Sequence, residues 1–267
     1  MGTATTSQDW WESLQPDSRV WRQGRLGHLV LSVQREGPEW MVHSEHVPER
    51  NEIASWQELG TVSAETLAGA GRFLFDGPAE ALELRPALAD RPVIARPRNP
   101  ITVPIGHRAT VYVGTPLWVQ LLQSGHREVL AEVSAERLSL TWFGETMKVG
   151  EVCYSTATSA RLHLENFPPL PDYAITRVTL RNDGAAPLRF TQIKLPVATL
   201  SLLRNEAGQH FTEPVRMTQT DGGLTKIDVQ APSSGDALFQ GLTKASEPRN
   251  SSSDRTLVET AFERLFR

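Results

Sequence analysis

Ala109-Thr110-Val111-Tyr112-Val113, followed after Gly114-Thr115-Pro116 by Leu117-Trp118-Val119-Gln120-Leu121, decides the fold class. Odd positions carry the small and aliphatic residues in both runs. That period of two is what a strand requires, because successive Cβ atoms point to opposite faces of a sheet. Prolines at 86, 92, 97, 100, 104 and 116 block helix interiors and suit strand starts or edges. Ile105-Gly106-His107-Arg108 reads as the turn before the first run.

The same grammar extends in both directions. Downstream, Arg177-Val178-Thr179-Leu180 and Leu188-Arg189-Phe190-Thr191 flank Asn182-Asp183-Gly184, which predicts a hairpin. The apolar phase then shifts to Ile193, Leu195 and Val197, so a bulge or strand change is expected near Leu195-Pro196. Asn205-Glu206-Ala207-Gly208 and Asp221-Gly222-Gly223 are further turns. Upstream, Leu26 to Val33 and Trp40 to His43 form a hairpin across Glu36-Gly37-Pro38-Glu39, after Trp10, Trp11 and Trp21. A short helix is expected over Ala64 to Ala70, capped by Ser63 and stopped by Gly69 and Gly71.

Short strands with turn chemistry between them predict an all-β chain: one large or two packed β-sandwich units, immunoglobulin-like. Residues 1–79 form the hairpin region with its short helix, 80–165 and 166–232 the two parts of the sandwich. Residues 233–253 turn Pro- and Ser-rich and read as a flexible linker. Over 254–267 an amphipathic helix is expected, with Asp254 as cap and Leu257, Val258, Ala261, Phe262, Leu265 and Phe266 on one stripe. A helix of this length is marginal alone, so its stripe packs either on its own sandwich or in a partner's groove. Leu257, Val258, Phe262, Leu265 and Phe266 are therefore the candidate partner-binding residues.

Composition limits the function. With 267 residues, 39% hydrophobic and 22% charged, the chain can bury a core. The net charge of -4, with Lys and Arg scattered, argues against a nucleic-acid partner. The single cysteine, Cys153, suits a reducing compartment, and neither a secretory signal nor an apolar run of spanning length is visible, so a cytoplasmic location is expected. A homo-oligomer is compatible with all of this. Neither a cofactor motif nor a catalytic motif occurs, which favours a non-enzymatic protein without excluding an enzyme.

Three groups merit weighing as sites. His43-Ser44-Glu45-His46, with Glu39 and Glu49, has metal-ligand chemistry, but odd spacing sends the two imidazoles to opposite faces of an extended chain, and a solvated turn is the better reading. Asp183, Asp221, Asp228 and Glu213 lack the paired geometry of a glycoside hydrolase. Trp142-Phe143-Gly144-Glu145 through Gly150-Glu151-Val152-Cys153-Tyr154 is expected to be a hairpin whose Trp142, Phe143, Val152 and Tyr154 pack in the core around a turn at Gly144. Cys153 has no neighbouring His to act as base and reads as a small buried hydrophobe. Trp142, Glu151 and Tyr154 are the candidate ligand-binding residues, should that hairpin border a pocket.

Arg91-Pro92-Val93-Ile94-Ala95-Arg96-Pro97, Pro116-Leu117-Trp118-Val119, Leu140-Thr141-Trp142-Phe143-Gly144 and Gly150-Glu151-Val152-Cys153-Tyr154 resemble a prokaryotic family known as domain of unknown function 432. Ala174 to Val178 and Leu195-Pro196-Val197 extend the resemblance over roughly residues 80–230. It implies no activity and no catalytic residue. It does imply a loose association with genes for small mechanosensitive channels, and so a membrane channel as protein partner. Two functions are expected in order: a binding or accessory protein docking a partner through sheet edges or the terminal helix, and a small-ligand or carbohydrate binder, or hydrolase, using a pocket near Trp142, Glu151 and Tyr154.

Overall fold

The structure, a computed structural model, describes residues 9–11, 13–15, 19–75, 81–146, 149–156, 160–220, 225–233, 235–250, 256–259 and 262–264. The chain is mainly β: of the described residues 58% are strand and 7% helix, in several sheets that include a curled half-barrel. The strands in chain order begin β1 (Trp21–Glu36), β2 (Glu39–Leu59), β3 (Gly71–Leu74), β4 (Leu82–Ala87), β5 (Val93–Ala95), β6 (Ile101–Val103) and β7 (Arg108–Pro116). They continue β8 (Trp118–Gln123), β9 (Val129–Ser134), β10 (Ser139–Thr146), β11 (Val149–Ser155), β12 (Tyr173–Asn182), β13 (Leu188–Leu195) and β14 (Leu202–Arg204). The last are β15 (His210–Thr212), β16 (Val215–Gln219), β17 (Thr225–Val229), β18 (Thr243–Ser246), β19 (Thr256–Glu259) and β20 (Phe262–Arg264).

Two compact units share these strands. The first comprises Met1–Ala87, Leu117–Arg137 and Leu170–Asp172. Its β1 and β2 form one long hairpin across Gly37-Pro38, where Gly37 takes the positive φ that the turn demands. The register slips on both sides of Gly27, which bends the ribbon. Trp56 lies flat on Gly24, its partner across the hairpin, and stacks on Trp10 with ring centroids 5.5 Å apart, so both tryptophans belong to the core. The short helix α1 (Ala64–Ala68) forms where capping chemistry placed it: the Ser63 hydroxyl accepts from Thr66 N at 3.1 Å, and Gly69 closes it. Strands β4, β8 and β9 make a separate sheet in which Val119 and Leu121 are buried, as the alternation required.

The second unit comprises Leu88–Pro116, Leu138–Pro169 and Tyr173–Arg267. One sheet runs β10-β11-β5-β13-β20, with β6 also on β13; the other runs β18-β14-β15-β12-β16-β17-β19, with β7 also on β12. Strand β12 pairs antiparallel with β7 along nine residues and buries Ala174, Thr176, Val178, Leu180 and Asn182 on one face. Asn205 to Gly208 joins β14 to β15 as a hairpin. The phase shift in β13 is present: Leu188 and Phe190 are buried, then Ile193 and Leu195, and the register against β20 slips between Phe190 and Gln192. Asp221-Gly222-Gly223 lies outside the described residues.

Three expectations change. Asn182-Asp183-Gly184 is a turn, but not a hairpin, because β12 and β13 belong to different sheets. The Asn182 side chain donates to Val103 O and Ala186 O and accepts from Gly184 N, holding the chain as it crosses from one sheet to the other. The stretch 233–253, linker by composition, contains the buried Phe239 and strand β18, paired with β14.

The third concerns the tail. Where a C-terminal amphipathic helix is expected, residues 256–259 and 262–264 are strands: β19 pairs with β17, and β20 pairs with β13. A thirteen-residue helix is marginal in water, whereas the open edges of two sheets offer backbone partners along their length. Tertiary pairing therefore overrides the local helical period. The immunoglobulin-type arrangement of the sheets is not established by this topology.

Candidate functional site

Strands β10 and β11 pair antiparallel with Leu140 opposite Tyr154, Trp142 opposite Val152, and Phe143 opposite Glu151. Cross-strand partners share a face. Leu140, Trp142, Val152 and Tyr154 therefore line the outer face, where Leu140 is 60% exposed, Trp142 47% and Val152 39%. On the inner face Phe143 and Cys153 pack with Ile94. The core-packing expectation thus holds for Phe143 and fails for Trp142 and Val152, because β10 is the outer strand of its sheet and one face of the hairpin looks to solvent. Trp142 leans over Gly150, where a Cβ would stand 2.8 Å from the indole Nε1.

Behind the hairpin, Lys194 of β13 is buried, its side chain 4% exposed, and donates to Glu151 Oε1 at 2.5 Å. Its ammonium also sits 5.7 Å from the centre of the Phe143 ring, so one cation is held by a carboxylate and a π face together. Tyr154 donates through its hydroxyl to Asp90 Oδ1 at 2.9 Å. Burial, and then this bond, hold the phenol above its ordinary pKa. Asp90 Oδ2 lies 3.4 Å from Arg91 Nε.

These groups meet at a cleft of about 340 Å³. Pro92, Val152, Pro196 and Ala198 form its apolar wall; Asp90, Arg91, Glu151, Thr199 and Asn250 supply the polar groups. Of the three ligand-binding candidates, Glu151 lines the cleft and Tyr154 bonds to its Asp90, whereas Trp142 does not line it. Asp90, Arg91, Thr199 and Asn250 were missed. Asp90-Arg91-Pro92 directly precedes β5, and its polar-then-rigid character was the available signal; nothing local marks Thr199 or Asn250. Asn250 reaches the cleft because its N–H bonds to Ala198 O at 2.9 Å.

Elsewhere the candidates separate. His46 Nε2 bonds to Ser134 O at 2.8 Å, and among the described residues no three of His, Cys, Asp and Glu converge to hold a metal ion. Glu213 is buried and accepts from Ser201 N at 3.0 Å, a structural role. His210 is buried too, and burial lowers its pKa to about 3, with Arg204 pushing the same way, so it stays neutral. Leu257 and Val258 lie in β19 and Phe262 in β20; Leu265 and Phe266 lie outside the described residues. Among the described residues no helix is long and apolar enough to cross a membrane.

The first unit holds a buried carboxylate of its own. Asp172 is wholly shielded, pairs with Arg50, and presses against the Cα of Gly27. Burial pushes its pKa up to about 6 against the pull of Arg50, and Glu136 adds to the rise.

A family model described as a protein of unknown function, DUF432, matches residues 10–267. No curated protein and no solved structure matches the chain.

Proposed function

Because the chain belongs to the DUF432 family, which carries no assigned activity, its function must be argued from its surface, and we propose that it is a non-enzymatic accessory protein that docks an extended segment of a protein partner along β10. The observation that carries this reading is the chemistry of that outer strand. Ser139-Leu140-Thr141-Trp142-Phe143 contains no Lys, no Pro and no charge. Natural edge strands are ordinarily blunted by such residues, since an open row of N–H and C=O groups invites another strand. Leu140 and Trp142 would add apolar contacts to the backbone bonds of an inserted strand, the usual division between affinity and specificity in β-augmentation.

The partner this favours is the cytoplasmic terminal segment of a small mechanosensitive channel, in keeping with the family association; the chain itself would act in the cytoplasm. In the same reading the two sheets of the second unit face each other as a sandwich of immunoglobulin type, supported by the one-sided burial of β12. Peptides from the channel termini, titrated into the full chain and followed by fluorescence anisotropy, test the proposal. Leu140→Lys with Trp142→Lys is expected to weaken binding by about tenfold or more at unchanged melting temperature. A wild-type chain that binds no channel peptide, or a double variant that binds as well as wild type, overturns it.

A further inference from the structure

We infer that the cleft between Asp90-Arg91-Pro92, β11 and the Pro196–Thr199 turn binds a neutral polyhydroxylated ring of the pyranose class. The inference does not depend on the edge reading, since the cleft is not formed by β10. Its volume, about 340 Å³, falls at the small end of the range in which ligands are held.

The charges at the cleft are already matched to one another. Asp90 lies against Arg91, and Glu151 is held by the buried Lys194. Among the described lining residues each charge has an opposite one beside it, so a ligand with net charge gains little from them. A neutral ligand keeps both pairs. The carboxylate oxygens of Asp90 and Glu151 remain able to accept, and the Asn250 amide and the Arg91 guanidinium can donate. The Thr199 hydroxyl donates to Pro196 O at 2.8 Å, which leaves its lone pairs as acceptors. Against this rim stands the apolar wall of Pro92, Val152, Pro196 and Ala198. A sugar ring has the matching two-sided character: C–H groups on one face, and hydroxyls that both donate and accept around the edge.

Saturation-transfer NMR on the full chain, titrated with the methyl glycosides of glucose, galactose, mannose and N-acetylglucosamine, reads the binding directly. Glucose 6-phosphate and glucosamine serve as anionic and cationic counterparts. At least one neutral glycoside is expected to bind saturably in the millimolar range, and the charged sugars about tenfold more weakly. Val152→Tyr, a substitution at a half-exposed strand position that fills the cleft, is expected to abolish binding with the melting temperature unchanged; Asn250→Ala should weaken it. Absence of saturable binding for all four glycosides, tighter binding of a charged sugar, or full binding by Val152→Tyr overturns the inference.

Discussion

Arg50 Nη2 donates to Asp172 Oδ1 at 2.5 Å, joining β2 to a carboxylate 122 residues away that is closed off from solvent. The pair fastens the Leu170–Asp172 segment within the first unit. A second bond, from Leu117 N to Asp172 O at 2.8 Å, ties the same residue through its backbone. The folded state nonetheless disfavours the ionised carboxyl, because desolvation outweighs the single guanidinium.

Stability should carry the mark of Asp172 in the acid range. Its pKa in the folded chain is about 6, against an ordinary value of 3.8, so the folded state binds this proton first. The stabilisation is fully present below the unfolded pKa and is lost as pH rises through about 6, a change on the order of 3 kcal/mol. Urea unfolding of wild type and Asp172→Asn between about pH 4 and pH 7 checks it: the difference in stability should shift against wild type as pH rises, and a flat difference refutes it.

Gly27 and Gly37 offer a matched comparison. Both have φ near +60, but a Cβ at Gly27 would stand 2.0 Å from Asp172 Oδ2, whereas nothing lies within 4 Å of one at Gly37. Gly37→Ala should cost about 1 kcal/mol for the left-handed backbone alone. Gly27→Ala should cost roughly 3 kcal/mol or more, since the carboxylate it meets is buried and held by Arg50. Thermal unfolding of the two variants distinguishes them, and equal losses would contradict the contact.

Lys194 and Glu151 should behave as a unit. Glu151→Gln removes a carboxylate that holds the buried ammonium beside Phe143, a loss of roughly 3 kcal/mol. Lys194→Met alone should cost less, because Glu151 is partly exposed and can turn to water. In the double variant much of the Glu151→Gln loss should be recovered, giving a coupling on the order of 1–3 kcal/mol from chemical denaturation.

Removal of the tail should expose two sheet edges at once. Truncation after Asn250 takes away β19 from β17 and β20 from β13. A loss of about 2–4 kcal/mol is expected, with concentration-dependent self-association through the uncovered edges. Unfolding curves and light scattering report both. A truncated chain that melts like the full one and remains of the same size would show that these strands contribute nothing.

What the sequence by itself determined lies within a few residues of where it is written. Val111 and Val113, then Val119 and Leu121, alternate because a strand has a period of two. Ser63 caps α1 because its hydroxyl reaches an N–H three residues on. Gly37 turns the first hairpin because only glycine takes that φ without strain. Gln192 falls where the phase of β13 slips. The tertiary structure decided everything that needed a distant partner. The turn at Asn182 suits a hairpin equally well until Val103, far upstream, supplies the carbonyl that holds it across two sheets. Leu257, Val258 and Phe262 fit a helical stripe, and they lie in strands because β17 and β13 present open edges. Asp90, Glu151, Thr199 and Asn250 share no spacing at all, and they meet only because β5, β11, β13 and the chain before β19 converge on one cleft. Backbone hydrogen bonds to a sheet edge are independent of side-chain identity, and contacts across a fold are independent of sequence separation, so neither leaves a local pattern to read.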